Sequence, residues 1–514
     1  MKPVAYLFAI NRRGLLCSFL IALFIGSLIG PTTQPTPIHA QAALLALANQ
    51  QPTEQVKVIV QRLARGTEAE KLVTRLGGQV IDELSIINAF VAQLPAQAVL
   101  TLGRAPSVRW VSLDSAVQSS QCSACIDTSK LASAYIRTIG ADKVWNRSPY
   151  LQGQGIGVAV VDSGVQPQQD FYTISGQNRL VASVAFNSGY NLSPNDGYGH
   201  GNHVAGIIGS NGSRSLGAYI GVAPAVNLIN VKVSDDAGAS TISNVVKGLQ
   251  WVFDNQQVYN IRVVNLSLND SVLESYHTSA LDAAVEVLWF NRIVVVVSAG
   301  NTSNGGIYAP ANDPFVITVG STDDRGTSQI TDDVLATFSA YGKTVDGFAK
   351  PDLVAPGKNI VSQMGNTNSA LALAHPDHVL VVNGASYLRM SGTSMSAPMV
   401  AGAAALLLQS NPNLTPDQVK YRLMATARPF DTSARVGAGY LNVDAAVSGT
   451  TNQKANQNIP ISKLLWSNNI PLIWNTLTES SVSWRPSGSA FWGRVGSNSD
   501  LNNSATWSSD YWGN

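Results

Sequence analysis

The chain has 514 residues, of which 45% are hydrophobic and only 13% are charged, and its formal net charge at pH 7 is +1. This length exceeds one ordinary domain, and the hydrophobic content suffices for a large core. A near-neutral chain lacks the basic excess of a nucleic-acid-binding protein, and it is too apolar and too weakly charged to be intrinsically disordered. We therefore expect a folded protein that does not bind nucleic acid.

A secretory signal peptide is predicted over residues 1–42. Basic residues precede the apolar stretch Gly14–Gly30, and a small-x-small cleavage pattern ends at Ala42. Cleavage after Ala40 is an alternative. The apolar stretch is also near the lower length limit for a spanning helix, so residues 14–30 could instead form an uncleaved membrane anchor. The pattern favours a secreted, extracellular protein.

A small module follows, over residues 55–114. Its strand-like and helix-like runs alternate in the order β-α-β-β-α-β: Val56–Gln61, Thr67–Gly78, Gln79–Leu84, Ile87–Pro95, Pro95–Pro106 and Val108–Asp114. This order predicts a small α+β, ferredoxin-like module of the split-βαβ type. Many functions use such a module, so the pattern alone indicates none.

The cysteines allow two interpretations. Cys17 would leave with the signal peptide, whereas Cys122 and Cys125 remain, in the sequence CSAC. Outside the cell they could close a small disulfide loop, or they could be two inert thiols. No second cysteine pair in the sequence completes a zinc site.

The long segment 128–448 alternates apolar runs with helical patterns. Valine- and isoleucine-rich runs of this kind are typical of parallel strands buried on both faces: Ile156–Gly164, Asn227–Val233, Ile261–Leu268, Arg292–Asn301 and Pro314–Ser321. Helices are predicted over Ser243–Asn255 and Ser279–Asn291. Alternating elements predict an α/β domain with a mainly parallel sheet covered by helices, and functional groups collect at the carboxyl ends of such strands.

Three residues at such positions could form a catalytic group. Asp162 ends the run VAVV, His200 opens the segment GHGNHVAGIIG, and Ser394 lies in a Gly/Ser/Thr-rich turn before an apolar helix. Taken singly, each has an ordinary structural explanation as a turn former, a buried polar group or a helix cap. Together they supply a nucleophile, a base and a carboxylate that orients the base.

The motifs resemble those of subtilisin-like serine proteases, the subtilases. They are VAVVDSGV around Asp162, GHGNHVAG around His200 and SGTSMSAPMVAG around Ser394, in the family's chain order Asp, His, Ser. The resemblance covers residues 55–448, and it implies a three-layer subtilisin-like fold for 128–448. It also implies a secreted serine endopeptidase acting on proteins or peptides, made as a self-processed precursor. The module at 55–114 resembles the family's propeptide, which implies an intramolecular inhibitor.

The resemblance assigns roles to individual residues. Ser394 would attack the scissile carbonyl, His200 would accept and return the proton, and Asp162 would orient the imidazole. Asn301, in SAGN, matches the family's oxyanion-hole asparagine. His203 is interpreted as a packing or hydrogen-bonding residue, because no third ligand completes a zinc motif with the histidine pair.

The substrate-binding residues depart from the family pattern. Ser267, Leu268 and Asn269 match a strand that pairs with substrate, but Asn269 and Asp270 stand where the family commonly has two glycines. These added side chains predict a narrower or more polar specificity pocket. Gly238 is expected on the opposing substrate strand. The insertion 365–389 could be a loop near the cleft or a surface excursion.

The resemblance implies no cofactor for the chemistry but allows structural calcium. Asp170 fits a family ligand position with a one-residue shift, and the loop Ser210–Gly221 could supply oxygen ligands.

A change in composition marks the C-terminal extension, residues 449–514. It holds six of the ten tryptophans in the chain. The extension could attach to a cell surface, carbohydrate or partner, or it could pack on the protease or be trimmed. A catalytically silent subtilase fold that binds through this extension is the alternative function.

Overall fold

The computed structural model describes residues 37–115, 125–187, 193–431 and 433–466, and the backbone of 473–474 and 504–507. Nearly all of the predicted signal peptide, with Cys17, lies outside these residues, as does Cys122, whereas Cys125 is disulfide-bonded. The chain divides into two compact units, Met1–Gln121 and Cys122–Asn514. Each described helix is too short or too polar to cross a membrane.

The first unit contains one antiparallel sheet. Its elements are α1 (Ala42–Gln50), β1 (Gln55–Arg62), α2 (Glu68–Arg75), β2 (Gln79–Leu84), β3 (Ala89–Pro95), α3 (Ala98–Leu102) and β4 (Val108–Leu113). The strand order β2-β3-β1-β4 is that of the split β-α-β-β-α-β module. Helix α1 was not predicted. Its Leu44 is fully buried in the core of this unit, so the folded part begins before Gln55.

The second unit contains the remaining elements. Its helices are α4 (Ala134–Ile139), α5 (Asp142–Trp145), α6 (His200–Gly209), α7 (Ile242–Asn255), α8 (Ala280–Phe290), α9 (Ala370–Ala374), α10 (Thr393–Ser410), α11 (Pro416–Ala425) and α12 (Val443–Ser448). Its strands are β5 (Gly157–Asp162), β6 (Leu180–Ala185), β7 (Asn227–Lys232), β8 (Ser240–Thr241), β9 (Ile261–Leu266), β10 (Leu268–Asn269), β11 (Val294–Ser298), β12 (Ile317–Asp323), β13 (Val334–Leu335), β14 (Gly342–Lys343), β15 (Ala349–Lys350), β16 (Leu353–Pro356), β17 (Ile360–Gln363), β18 (Val379–Val382), β19 (Ala385–Met390), β20 (Ile459–Pro460), β21 (Ile473–Trp474) and β22 (Ser504–Trp507).

An eight-stranded sheet organises the second unit, in the order β13-β12-β11-β9-β5-β7-β6 with β16 beside β12. Every pairing except β12 with β13 is parallel. All residues of β5 and β11 are buried, as expected for strands covered on both faces. Helix α10 is buried from Thr393 to Leu408 and packs against the sheet and α6. The predicted mainly parallel α/β fold is therefore confirmed.

Part of the predicted C-terminal extension belongs to this packed unit. Ile461 and Leu465 lie in its hydrophobic core. The Tyr276 hydroxyl donates to the carbonyl of Pro460 at 2.7 Å, and the backbone N–H of Ser462 donates to Glu286 at 2.8 Å. Residues 459–466 are therefore attached to α8 and to the segment before it, although Lys463 and Leu464 are exposed.

Candidate active site

The structure brings Asp162 and His200 together at the carboxyl edge of the sheet. Strand β5 ends at Asp162 and helix α6 begins at His200, and Asp162 Oδ1 lies 2.8 Å from His200 Nδ1. Both side chains are fully buried. A Cβ at Gly201 would lie 2.1 Å from the carbonyl oxygen of Gly164, so only glycine lets the helix begin this close to the strand end.

A buried carboxylate fixes the start of α6. Asp196 accepts hydrogen bonds from the backbone N–H groups of Gly199 (2.7 Å) and Asn202 (2.8 Å) and from the hydroxyl of Ser163 (2.8 Å). Burial raises the pKa of Asp196 to about 6, against the lowering effect of these donors. Sequence reasoning missed this positioning residue, because Asp196 precedes the N-cap residue Gly199 and is not itself at the capping position.

The second histidine of the quoted motif is structural. His203 Nε2 lies 3.0 Å from the carbonyl oxygens of Ile360 and Leu388. Burial, and to a lesser extent the neighbouring His200, lowers the pKa of His203 to about 3. A neutral imidazole bonded to backbone carbonyls confirms the packing and hydrogen-bonding interpretation.

Ser394 lies in the first turn of α10, where the helix dipole is positive. Its hydroxyl donates to the carbonyl of Ser267 at 3.3 Å, and the Ser267 hydroxyl donates to the carbonyl of Ser394 at 3.0 Å. These reciprocal bonds attach the start of α10 to the segment between β9 and β10. Helix α10 also packs on α6, which carries His200.

The side chain of Asn301 is anchored beside Ser394. Asn301 Oδ1 accepts hydrogen bonds from the backbone N–H and the hydroxyl of Thr393, both at 3.0 Å. Asn301 Nδ2 is buried and has no hydrogen-bond partner among the described residues. Because its oxygen is anchored, the amide N–H₂ is the end of this side chain that can donate to a further oxygen. Thr393, which holds the amide, was not identified from the sequence.

Two short strands border the predicted cleft. One is β10, with Leu268 and Asn269, and the other is β8, whereas Gly238 lies in the turn that precedes β8. Asn269 is buried, and its amide donates to the carbonyl of Ser298 at 3.1 Å, which joins the ends of β10 and β11. Burial raises the pKa of Asp270. Asn269 and Asp270 are both buried, and the narrower or more polar specificity pocket stays a prediction.

The inserted segment 365–389 forms α9, β18 and most of β19. The backbone N–H groups of Ala370 and Leu371 donate to the carbonyls of Gly197 and Tyr198 at 2.9 and 3.0 Å. The insertion therefore contacts the segment that leads to His200.

The predicted calcium ligand Asp170 is already saturated with hydrogen-bond donors. Its carboxylate accepts from the Ser213 hydroxyl (2.8 Å), the Arg214 backbone N–H (2.6 Å), the Ser210 hydroxyl (3.1 Å) and the Tyr387 hydroxyl (3.3 Å), and also from the Gln363 amide. N–H and O–H groups aimed at both oxygens compete with a cation. Within the described residues, no group of three or more His, Cys, Asp or Glu could hold a metal ion. In this arrangement protein donors, and not a cation, satisfy Asp170, and calcium at this carboxylate stays a prediction.

The parallel α/β sheet has an Asp–His pair at its carboxyl edge, and Ser394 lies at the start of a helix that packs on the His200 helix, an arrangement typical of the three-layer serine peptidases. The subtilase family profile matches residues 153–457. The chain belongs to the subtilase family, which confirms the resemblance found in the motifs.

Named relatives agree with this assignment. The chain is 36% identical to serine protease AprX of Bacillus subtilis (strain 168) over 373 residues, 71% of this chain and 80% of the relative. It is 30% identical to subtilisin E of the same organism over 384 residues, 73% of this chain and 84% of the relative. The chain is accordingly a serine endopeptidase whose substrates are proteins or peptides.

A solved structure is also similar. It is fervidolysin from Fervidobacterium pennivorans, described as a keratinolytic enzyme related to subtilisin, with a TM-score of 0.50 and 25% identity. The match covers 78% of this chain and 62% of that structure, so this chain spans less than two thirds of its length.

Proposed function

We propose that the chain is a secreted endopeptidase that cleaves peptide bonds through Asp162, His200 and Ser394. The observation that carries this proposal is the buried 2.8 Å contact between Asp162 Oδ1 and His200 Nδ1. A carboxylate at that distance holds the Nδ1–H tautomer, so that Nε2 is the basic nitrogen. It also stabilises the imidazolium that forms during reaction.

The reaction proceeds in two acyl transfers. Ser394 Oγ bonds to the scissile carbonyl carbon while His200 Nε2 takes the hydroxyl proton. The C–N bond then breaks, and the imidazolium gives that proton to the leaving amine. Water repeats the sequence on the acyl-enzyme, which releases the acid and restores Ser394. The Asn301 amide and the backbone N–H of Ser394 stabilise the oxyanion in both halves.

The precursor organisation is part of the same proposal. Residues 1–42 direct secretion, and the unit containing 55–114 acts as an intramolecular inhibitor that the enzyme cuts off between Asp114 and Thr128. This is supported by the split βαβ topology of the first unit and by the subtilase family of the second.

The test compares wild type with Ser394→Ala and with Ser410→Ala, an exposed serine at the other end of the same helix. We expect phenylmethylsulfonyl fluoride to add its sulfonyl group to Ser394 and to stop casein hydrolysis in wild type and Ser410→Ala. Ser394→Ala is expected to accumulate as uncut precursor. A precursor that is processed at the wild-type rate in Ser394→Ala would contradict self-cleavage.

A further inference from the structure

We propose that the C-terminal extension inhibits this enzyme by placing Ser504–Trp507 in the substrate cleft as a pseudosubstrate strand. The inference rests on the proposed function, because it concerns the same cleft. Strand β22 is the middle strand of a three-stranded sheet in the order β10-β22-β8. It therefore lies between the two short strands that border the predicted cleft.

The register shows how the strand lies in the cleft. Ser504 and Ala505 pair with Thr241 and Ser240 of β8. Thr506 and Trp507 pair with Asn269 and Leu268 of β10, and both pairings are antiparallel. A peptide that adds a strand to exposed sheet edges binds mainly through its backbone. The extension thus occupies both edges that an extended substrate would need.

The direction of the strand points to the nucleophile. Because β22 is antiparallel to β10, the step from Thr506 to Trp507 follows β10 backwards from Asn269 to Leu268. The next residue in that direction on the β10 side is Ser267, whose carbonyl accepts the hydrogen bond from Ser394 Oγ. The extension thus approaches the catalytic serine as the acyl side of a substrate would.

The burial of the site agrees with a closed cleft. The side chains of Ser394, His200 and Ser267 have no exposed surface. In the proposed closed form β22 occupies the place of a substrate strand, and in the open form it has left the cleft. Substrate binds only to the open form. The apparent KM therefore equals the KM of the open form divided by the fraction of molecules that are open.

Proline substitutions test the strand without removing it. Ala505→Pro and Thr506→Pro each remove one backbone N–H. Because the N–H groups of adjacent residues in a strand point to opposite neighbouring strands, the two variants together test the pairing of β22 on both of its sides. Ser497→Pro, which lies outside strands β21 and β22, is the matched control. A truncation after Trp474 removes β22 entirely while keeping the packed residues 459–466. Intact mass establishes that each full-length variant retains its extension.

The assay measures KM and kcat on a short peptide anilide. We expect Ala505→Pro, Thr506→Pro and the truncated enzyme to show a lower KM at unchanged kcat. The decrease is on the order of tenfold if nine molecules in ten are closed. A synthetic hexapeptide with the sequence of residues 502–507 should inhibit the truncated enzyme competitively. The same peptide with proline at the Thr506 position should not.

Three negative outcomes are distinguishable. If wild type, control and all variants share one KM and one kcat, the extension does not compete with substrate, while the endopeptidase function stands. If no variant hydrolyses the anilide and phenylmethylsulfonyl fluoride does not modify Ser394, the proposed function itself is wrong. If the hexapeptide fails to inhibit although the proline variants are faster, the cleft is not where the extension acts, which also overturns the inference.

Discussion

In the side-chain amide of Asn301, the oxygen is held by hydrogen bonds and the nitrogen is available to donate one. Thr393 holds Oδ1 through two hydrogen bonds, so Nδ2 is oriented before any substrate arrives. A donor oriented in advance stabilises the oxyanion without reorganisation, and it acts on the transition state more than on the bound substrate. The amide should therefore affect kcat rather than KM.

We predict that Asn301→Leu lowers kcat by about 10²–10³-fold with little change in KM, the magnitude known for the corresponding donor in subtilisin. Leucine has a similar size but no donor. The measurement is steady-state hydrolysis of a peptide anilide, with circular dichroism to confirm folding. An Asn301→Leu enzyme with wild-type kcat would remove this residue from the oxyanion hole.

The sequence signal for single residues is strong where the information is local, and the contact between Asp162 and His200 is the part of it that the structure shows. Asp162, His200, Ser394 and Asn301 each lie in a short motif whose neighbours fix the backbone around them. Positioning residues such as Thr393 could not be predicted, because their roles depend on contacts between segments far apart in the chain. The contact of Thr393 with Asn301 spans 92 positions.

Helix α8 buries carboxyl groups that an apolar helix would not be expected to carry. Asp282 and Glu286 are fully buried on it, facing Asp313. Burial, reinforced by the mutual repulsion of these groups, raises the pKa of Asp282 and Glu286 well above the ordinary range, and burial raises the pKa of Asp313 to about 6.

The predicted helix Ser279–Asn291 is confirmed within one residue at each end. Its partners could not be predicted, because Asp313 and Ser462 come from distant segments.

We predict that Glu286→Gln raises the stability of the protein at pH 8 and has little effect near pH 4. At pH values between the ordinary pKa of a carboxyl group and the raised pKa of Glu286 in the folded protein, the native state keeps a proton on this group that the unfolded chain has released. The free energy of unfolding therefore falls as pH rises through this window. Glutamine can still accept from Ser462 and donate to Asp313, but it carries no proton to lose.

The expected gain is on the order of 1–3 kcal/mol at pH 8. It is measured as melting temperature against pH on enzyme inactivated with phenylmethylsulfonyl fluoride, so that self-digestion does not interfere. Asp254→Asn, an exposed carboxylate at the end of α7, is the control and should follow wild type at every pH. If the melting temperatures of Glu286→Gln and wild type change in parallel with pH, the protonation of this carboxyl group does not contribute to the pH dependence of stability.

At the scale of the whole molecule, one carboxylate joins segments that are distant in sequence. Asp170 accepts hydrogen bonds from the loop after α6, from Gln363 in β17 and from Tyr387 in β19. The parallel sheet could be predicted from its valine-rich runs, because burial on both faces leaves a local signature. The small sheet β17-β19-β18 was not predicted. Its β18 has the apolar run VLVV, but β17 and β18 have only four residues each, and β18 is not buried on both faces.

This network leads to a prediction about calcium. Since both oxygens of Asp170 are occupied by protein donors, we expect a chelator to leave the melting temperature of the inactivated enzyme unchanged. Asp170→Asn should lower stability by about 1–3 kcal/mol, because it aims an N–H₂ group at donors that then lose their acceptor. Asp377→Asn, an exposed residue of the inserted segment, should not. A melting temperature that falls with chelator in wild type but not in Asp170→Asn would instead show that this carboxylate binds calcium and that its donors turn away to admit the ion.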